Sequence, residues 1–137
     1  HITLTGGETS YEFDLSTLPS GASAQLLELS RQPLPESTDG LTASLTSFAP
    51  FDAEPSLCED VISIDTQDTA ITITNISGSD ITGQIYVYYK SAYGDLYIGG
   101  ITYRTGVSGL AAGESTTLYA SHYSTAYSKI MFVTYVQ

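Results

Sequence analysis

Tryptophan is missing from this chain, cysteine and methionine occur once each, and only four of its 137 residues are Lys or Arg. Each scarcity excludes something. Cys58 stands alone, so no internal disulfide holds the fold. Four bases against fifteen acids leave a formal net charge of −11. That charge repels phosphate backbones and anionic lipid, which makes nucleic acid and membrane surfaces poor partners. No run of about 18 apolar residues occurs, so no membrane-spanning segment is expected. The Gly-x-Ser-x-Gly, Walker and dinucleotide-binding glycine patterns are also absent. With two histidines and one cysteine to work with, no catalytic residues and no cofactor are expected.

What is present points to strands. Charged residues make up 14% of the chain, well below the usual quarter or so, and Ser, Thr, Gly and Tyr supply the polarity instead. Thr and Tyr pack well on a half-buried pleated surface. A length of 137 residues suits a single domain, which at this size needs no staples. Its texture is nonetheless divided. Residues 1–68 carry twelve acids, all five prolines and one base, Arg31, whereas residues 69–137 carry three acids and ten of the eleven tyrosines. Neither part reads as long enough to bury a good core of its own, so 1–137 is taken as one domain with an irregular first section.

Thr69 to Ile76 alternates apolar and polar residues, the mark of a strand with one wet face. Ser77–Asp80 reads as a turn, Gln84–Lys90 as a strand, and Asp95–Arg104 as a strand broken at Gly99-Gly100, where a bulge or close backbone approach is expected. A loop over 109–114 leads into a strand at Ser115–Ala120. Lys129–Val136 has apolar residues on both faces and is expected to be central. Earlier in the chain, Ile2–Thr5, Tyr11–Leu15, Leu41–Phe48 and Val61–Asp65 read as strands, and Ala22–Arg31 as a strand or short helix. The stretch from Ala49-Pro50 to Asp60 reads as a long acidic loop. Many short strands, frequent turns and no long helical segment predict an immunoglobulin-like antiparallel β-sandwich.

Residues 69–120 resemble the second half of bacterial immunoglobulin-like surface modules of the FxLYD and related kinds. The likeness rests on Asn75-Ile76-Ser77-Gly78 ending a strand, the hydrophobic strand at 85–89, and Gly109-Leu110-Ala111-Ala112-Gly113-Glu114-Ser115 before another. Tyr88-Tyr89-Lys90 stands where the signature has Leu-Tyr-Asp. The resemblance implies an extracellular or cell-surface module without enzymatic activity. A start at His1 fits a processed, exported chain, or one trimmed behind an affinity tag.

Several constellations compete for a role. Tyr86, Tyr88 and Lys90 fall on one face of their strand, with Tyr97 alongside on the next. A row of exposed tyrosines stacks on carbohydrate or forms a protein hot spot, while the plainer reading is cross-strand packing. Ile2, Thr3, Leu4 and Thr5 alternate like a strand behind the hinge Gly6-Gly7. Such a strand pairs within its own sheet or completes the sheet of a second copy, as in a filament or pilus subunit. Asp60, Asp65 and Asp68 offer hard oxygen ligands for calcium, against the plainer reading of a solvated acidic rim. His1 and His122, with Tyr119 or Tyr123, are the residue types that hold copper. Cys58 lies before Glu59-Asp60, and both acids oppose a reactive thiolate. Asn75-Ile76-Ser77 matches a glycosylation sequon.

The leading expectation is therefore a non-catalytic structural or adhesive module of a microbial surface, with a protein partner or a second copy. Its rival is a carbohydrate- or protein-ligand-binding module that uses the tyrosine face. A copper site at the N-terminal histidine comes last.

Overall fold

A computed structural model describes all residues from His1 to Gln137 and contains eleven strands and no helix. The elements are β1 (Ile2–Gly6), β2 (Thr9–Phe13), β3 (Ser23–Gln25), β4 (Thr42–Leu45), β5 (Ile62–Gln67), β6 (Ala70–Asn75), β7 (Ile81–Tyr93), β8 (Leu96–Ile98), β9 (Tyr103–Leu110), β10 (Ser115–Tyr119) and β11 (Ser128–Tyr135). They form three sheets, ordered β2-β1-β4, β10-β6-β5 and β11-β7-β8-β3, with β9 paired to the other edge of β7. The all-β expectation holds. The sheets are not purely antiparallel, because β3 runs parallel to β8.

Alternation sets the core. On β6, Ile71 and Ile73 are fully buried, while the intervening Thr72 and Thr74 face outward and bond across to Thr117 and Ser115 on β10. Their counterparts on β7 are Ile85, Val87 and Tyr89. Twelve buried side chains, from Ile62 to Val133, make one cluster, to which β5, β6, β7, β9, β10 and β11 all contribute. Each large aliphatic member adds roughly 1.5–3 kcal/mol of burial. Eleven of the twelve lie between Ile71 and Val133, and Ile62, with Cys58, Val61 and Ile64 packed beside it, comes from the first section.

Four sequence expectations change. The stretch 22–31 is no helix: only Ser23–Gln25 is regular, as a short edge strand. The expected strand over 95–104 is two, β8 and β9, which part at the glycines. Gly99 has a φ of +82°, and a Cβ on Gly100 would lie 2.1 Å from the carbonyl oxygen of Asp14. Both a turn and a close approach thus operate there. β7 extends to 13 residues and is the hub, whereas β11, expected to be central, pairs only with β7. A bulge between Ile130 and Phe132 brings the successive residues Met131 and Phe132 into the same cluster, while Val133 joins the main core, so three consecutive residues are buried.

The first section adds a cover. Leu18, Ala22 and Ala24 pack on a second cluster of Ala92, Tyr97, Met131 and Phe132, on the reverse side of β7 and β11. The Ser16 N–H donates to Gly100 O at 2.9 Å, and the Gly99 N–H to Gln25 O at 2.8 Å, tying this layer to the β8–β9 connection.

Candidate interaction surface

The tyrosine face does not stand open. Tyr86, Tyr88 and Lys90 do share the outer face of β7, but the cover lies over its lower end: Lys90 is 0% exposed and Tyr97 3%. Tyr88 stacks on Phe132 with centroids 4.6 Å apart, and Phe132 meets Phe51 edge-on at 5.8 Å. Tyr86 lies against Gly106 and is capped by the Arg104 guanidinium, 4.1 Å from its ring centroid. A sugar ring would have to displace that cation to reach the Tyr86 face. Of the two readings the plainer one, cross-strand packing, agrees with the structure: Arg104 and Phe132 lie on the rings, and Leu18, Ala22, Ala24 and Phe51, far away in sequence, add to the cover.

Lys90 is the least expected of these residues. Its Nζ donates to Ile101 O at 2.9 Å and to Thr102 Oγ1 at 3.4 Å, with no carboxylate beside it. Burial pushes its pKa below the ordinary lysine value. The ammonium pins the Ile101–Thr102 segment, and Thr102 Oγ1 in turn meets Ser16 Oγ at 2.6 Å.

The N-terminal strand is held on both sides. Ile2–Gly6 pairs with β2 from Phe13 to Thr9, and Ile2–Thr5 pairs with β4 from Leu45 to Thr42. Thr3, Leu4 and Thr5 thus lie in the middle of a three-stranded sheet, and Gly7 turns the hairpin at φ +62°. The His1 ring joins Asp14 Oδ1 at 2.6 Å through Nδ1 and Glu12 through Nε2, and its backbone nitrogen donates to Ser47 O at 2.8 Å. The bonds to Asp14 and then Glu12 raise the His1 pKa.

The metal candidates are dispersed. No group of three or more His, Cys, Asp or Glu comes together to hold an ion. Asp60 and Asp65 are exposed, and Asp68 accepts bonds from the Thr125 N–H at 2.8 Å and its hydroxyl at 3.0 Å, which lower its pKa. His122 stacks on Tyr103 at 4.5 Å, while the His1 ring is engaged by Glu12 and Asp14. Asn75, the sequon asparagine, is 0% exposed: its Nδ2 donates to Ser79 O and Leu110 O, and its Oδ1 accepts from Ser77. It closes the β6–β7 turn and is no glycan acceptor in the folded chain. Burial, with Asp60 adding to it, raises the Cys58 pKa.

The feature the sequence hides is an open side. Where β9 meets β10, the Thr105 hydroxyl donates to Tyr119 O at 2.9 Å and closes the gap between the sheets. At the opposite side, β5 and β11 are both edge strands. Between them lies a groove of about 380 Å3 lined by Leu57, Ile62, Ile64 and Ile130. Leu57 and Ile130 also border a second recess of about 540 Å3, which continues toward Ala22 and Met131. A strap of residues 51–58 crosses β11 here. It makes one backbone bond to that edge, Val133 N–H to Ser56 O at 2.9 Å, and the Cys58 thiol reaches Val133 O at 3.5 Å. Sequence reading took this strap for an acidic loop, and nothing in its composition reveals that it lies along a sheet edge. Compared with family models, curated proteins and solved structures, the chain matches none of them.

Proposed function

We propose that the chain is a non-catalytic structural or adhesive module of the extracellular, cell-surface kind, built on an immunoglobulin-like β-sandwich. What supports the reading is that β5, β6 and β10 pair in one sheet, β9, β7 and β11 in another, and both contribute side chains to one buried cluster, with β10 returning to lie beside β6. The likeness of residues 69–120 to bacterial immunoglobulin-like surface modules agrees with it. So do the roles of the shifted ionisable groups. Glu12 takes bonds from Thr3, His1 and Ser10, Glu28 from Ser30, Gln32 and the Glu12 N–H, and Asp68 from Thr125, each tying one strand or turn to another. Protein rather than carbohydrate is the partner class favoured, since the tyrosine rings are covered by their neighbours.

Immobilised protein is tested against arrays of extracellular proteins and of glycans. Retention of protein ligands with a blank glycan array is the expected result. Turnover of a substrate in a hydrolase panel, or glycan binding lost in Tyr86→Ala/Tyr88→Ala, contradicts it. Assembly of copies through Ile2–Gly6 is a narrower version of the same reading and requires β1 to leave both its neighbours. Deleting residues 1–7 abolishes polymers if that version operates; polymers that survive the deletion exclude it.

A further inference from the structure

We propose that the outer edge of β11, together with the groove beneath it, accepts an extended, positively charged segment of another protein as an added β-strand. This rests on reading the chain as a protein-binding module and names the surface it uses. Three features converge there.

The first is the edge itself. A strand with a free row of N–H and C=O groups is a template for another strand, and the side chains of the incoming strand alternate between pocket and solvent. The groove between β5 and β11 supplies the pocket, with Ile62, Ile64 and Ile130 on its walls. The second is the weakness of what now lies over the edge. The strap contains Pro55, which has no N–H, directly before Ser56, the only residue whose backbone bonds β11 there. It therefore cannot run on as a ladder strand. Phe51 remains 46% exposed and Leu57 36%, so the strap is itself poorly covered. The third is charge. Glu59 lines the groove, Asp60 follows it, and Asp52 and Glu54 lie in the strap before it; all four are exposed and none takes part in an ion pair. The one base nearby, Lys129, is held by Asp95 at 3.6 Å. A second copy of a chain carrying −11 is repelled from this rim, and a cationic segment is drawn to it.

The probe is a fluorescein-labelled peptide of about eight residues, a usual strand length, alternating Lys and Val, beside its alternating Glu and Val counterpart. Anisotropy gives affinity, and amide shifts in 1H–15N spectra of the intact protein give location. The Lys-Val peptide is expected to saturate, to bind at least about tenfold tighter than the Glu-Val peptide, and to weaken as salt screens the rim. Shifts are expected at 128–135 and 56–64. The surface variant Glu59→Lys/Asp60→Lys is expected to bind several-fold more weakly at an unchanged melting temperature. No saturation by about 1 mM peptide, a Kd weaker than ordinary recognition, overturns the proposal, and so does equal binding of both peptides. Saturable binding with shifts confined to Tyr86 and Arg104 overturns the edge site but keeps the protein-binding reading. Concentration-dependent dimers with shifts at 128–135 and no peptide show a second copy to be the occupant and overturn it too.

Discussion

Residues 58–137 contain eighteen of the 21 buried side chains, whereas residues 1–57 contain only Tyr11, Phe13 and Glu28. The second stretch gathers Ile62, Ile71, Ile73, Ile81 and Ile85 into one buried cluster. The first leaves Leu27, Leu45 and Phe48 at 78%, 60% and 71% exposure and contributes a small sheet, a cover over the tyrosine face and a strap across β11. Prolines and charge explain the contrast: five prolines interrupt the ladders of the first stretch, and its acids have almost no bases to pair with. One stretch supplies rigidity, and the other decides which surfaces remain open.

The largest expected effect breaks the rigid half. Ile73→Ala removes a side chain that is 0% exposed at the centre of β6 and is expected to cost about 2–5 kcal/mol in urea unfolding. Leu45→Ala on exposed β4 is expected to stay within about 0.5 kcal/mol. Equal losses would erase the distinction between the two stretches. Next comes the joint. Gly100→Ala places a Cβ against the backbone carbonyl of Asp14, which cannot move as a side chain would, and is expected to cost roughly 1–3 kcal/mol. It should also raise the exchange of the Ser16 amide. A variant as stable as the parent would mean that the cover is not held at this point.

The smallest effect is confined to the first stretch and to acid. Burial works against the charge of Glu28, but the Ser30 hydroxyl and the Glu12 and Gln32 N–H groups outweigh it and hold its carboxyl at about 2, below the ordinary 4.5. The unfolded chain therefore binds the proton first. Stability from this group is full above pH 4.5 and is lost as pH falls toward 2. Glu28→Gln is expected to flatten the acid limb of the first stretch, followed by circular dichroism between those values, and to leave the protection of Ile71 and Ile73 unchanged. An unaltered acid limb would contradict the role given to Glu28.

How much of this was legible follows from how far each signal reaches along the chain. The Thr69–Ile76 alternation is local and foretold β6 to within a residue at each end. Gly99-Gly100 announced a break because a missing Cβ is a property of two adjacent residues. The fate of Lys90 was hidden: a lysine two places beyond Tyr88 on an outer face reads as exposed. It is buried because Ser16, Ile101 and Thr102 arrive over it from two other segments. The parallel β3–β8 pair and the strap along β11 are likewise long-range and leave no period in the sequence. Pro55 in the strap could have been the one clue, since a proline beside an edge marks an interrupted ladder.

Native-state hydrogen exchange on the whole chain tests the two-part account most directly. The amides of Ile71, Ile73, Ile85 and Val87 are expected to exchange only through global unfolding. Those of β1, β2, β4 and the strap 51–58 are expected to exchange at least about a hundredfold faster, through sub-global opening. Uniform protection across both stretches, with the strap amides as slow as Ile73, would show a single cooperative unit and a closed β11 edge, and would contradict the account.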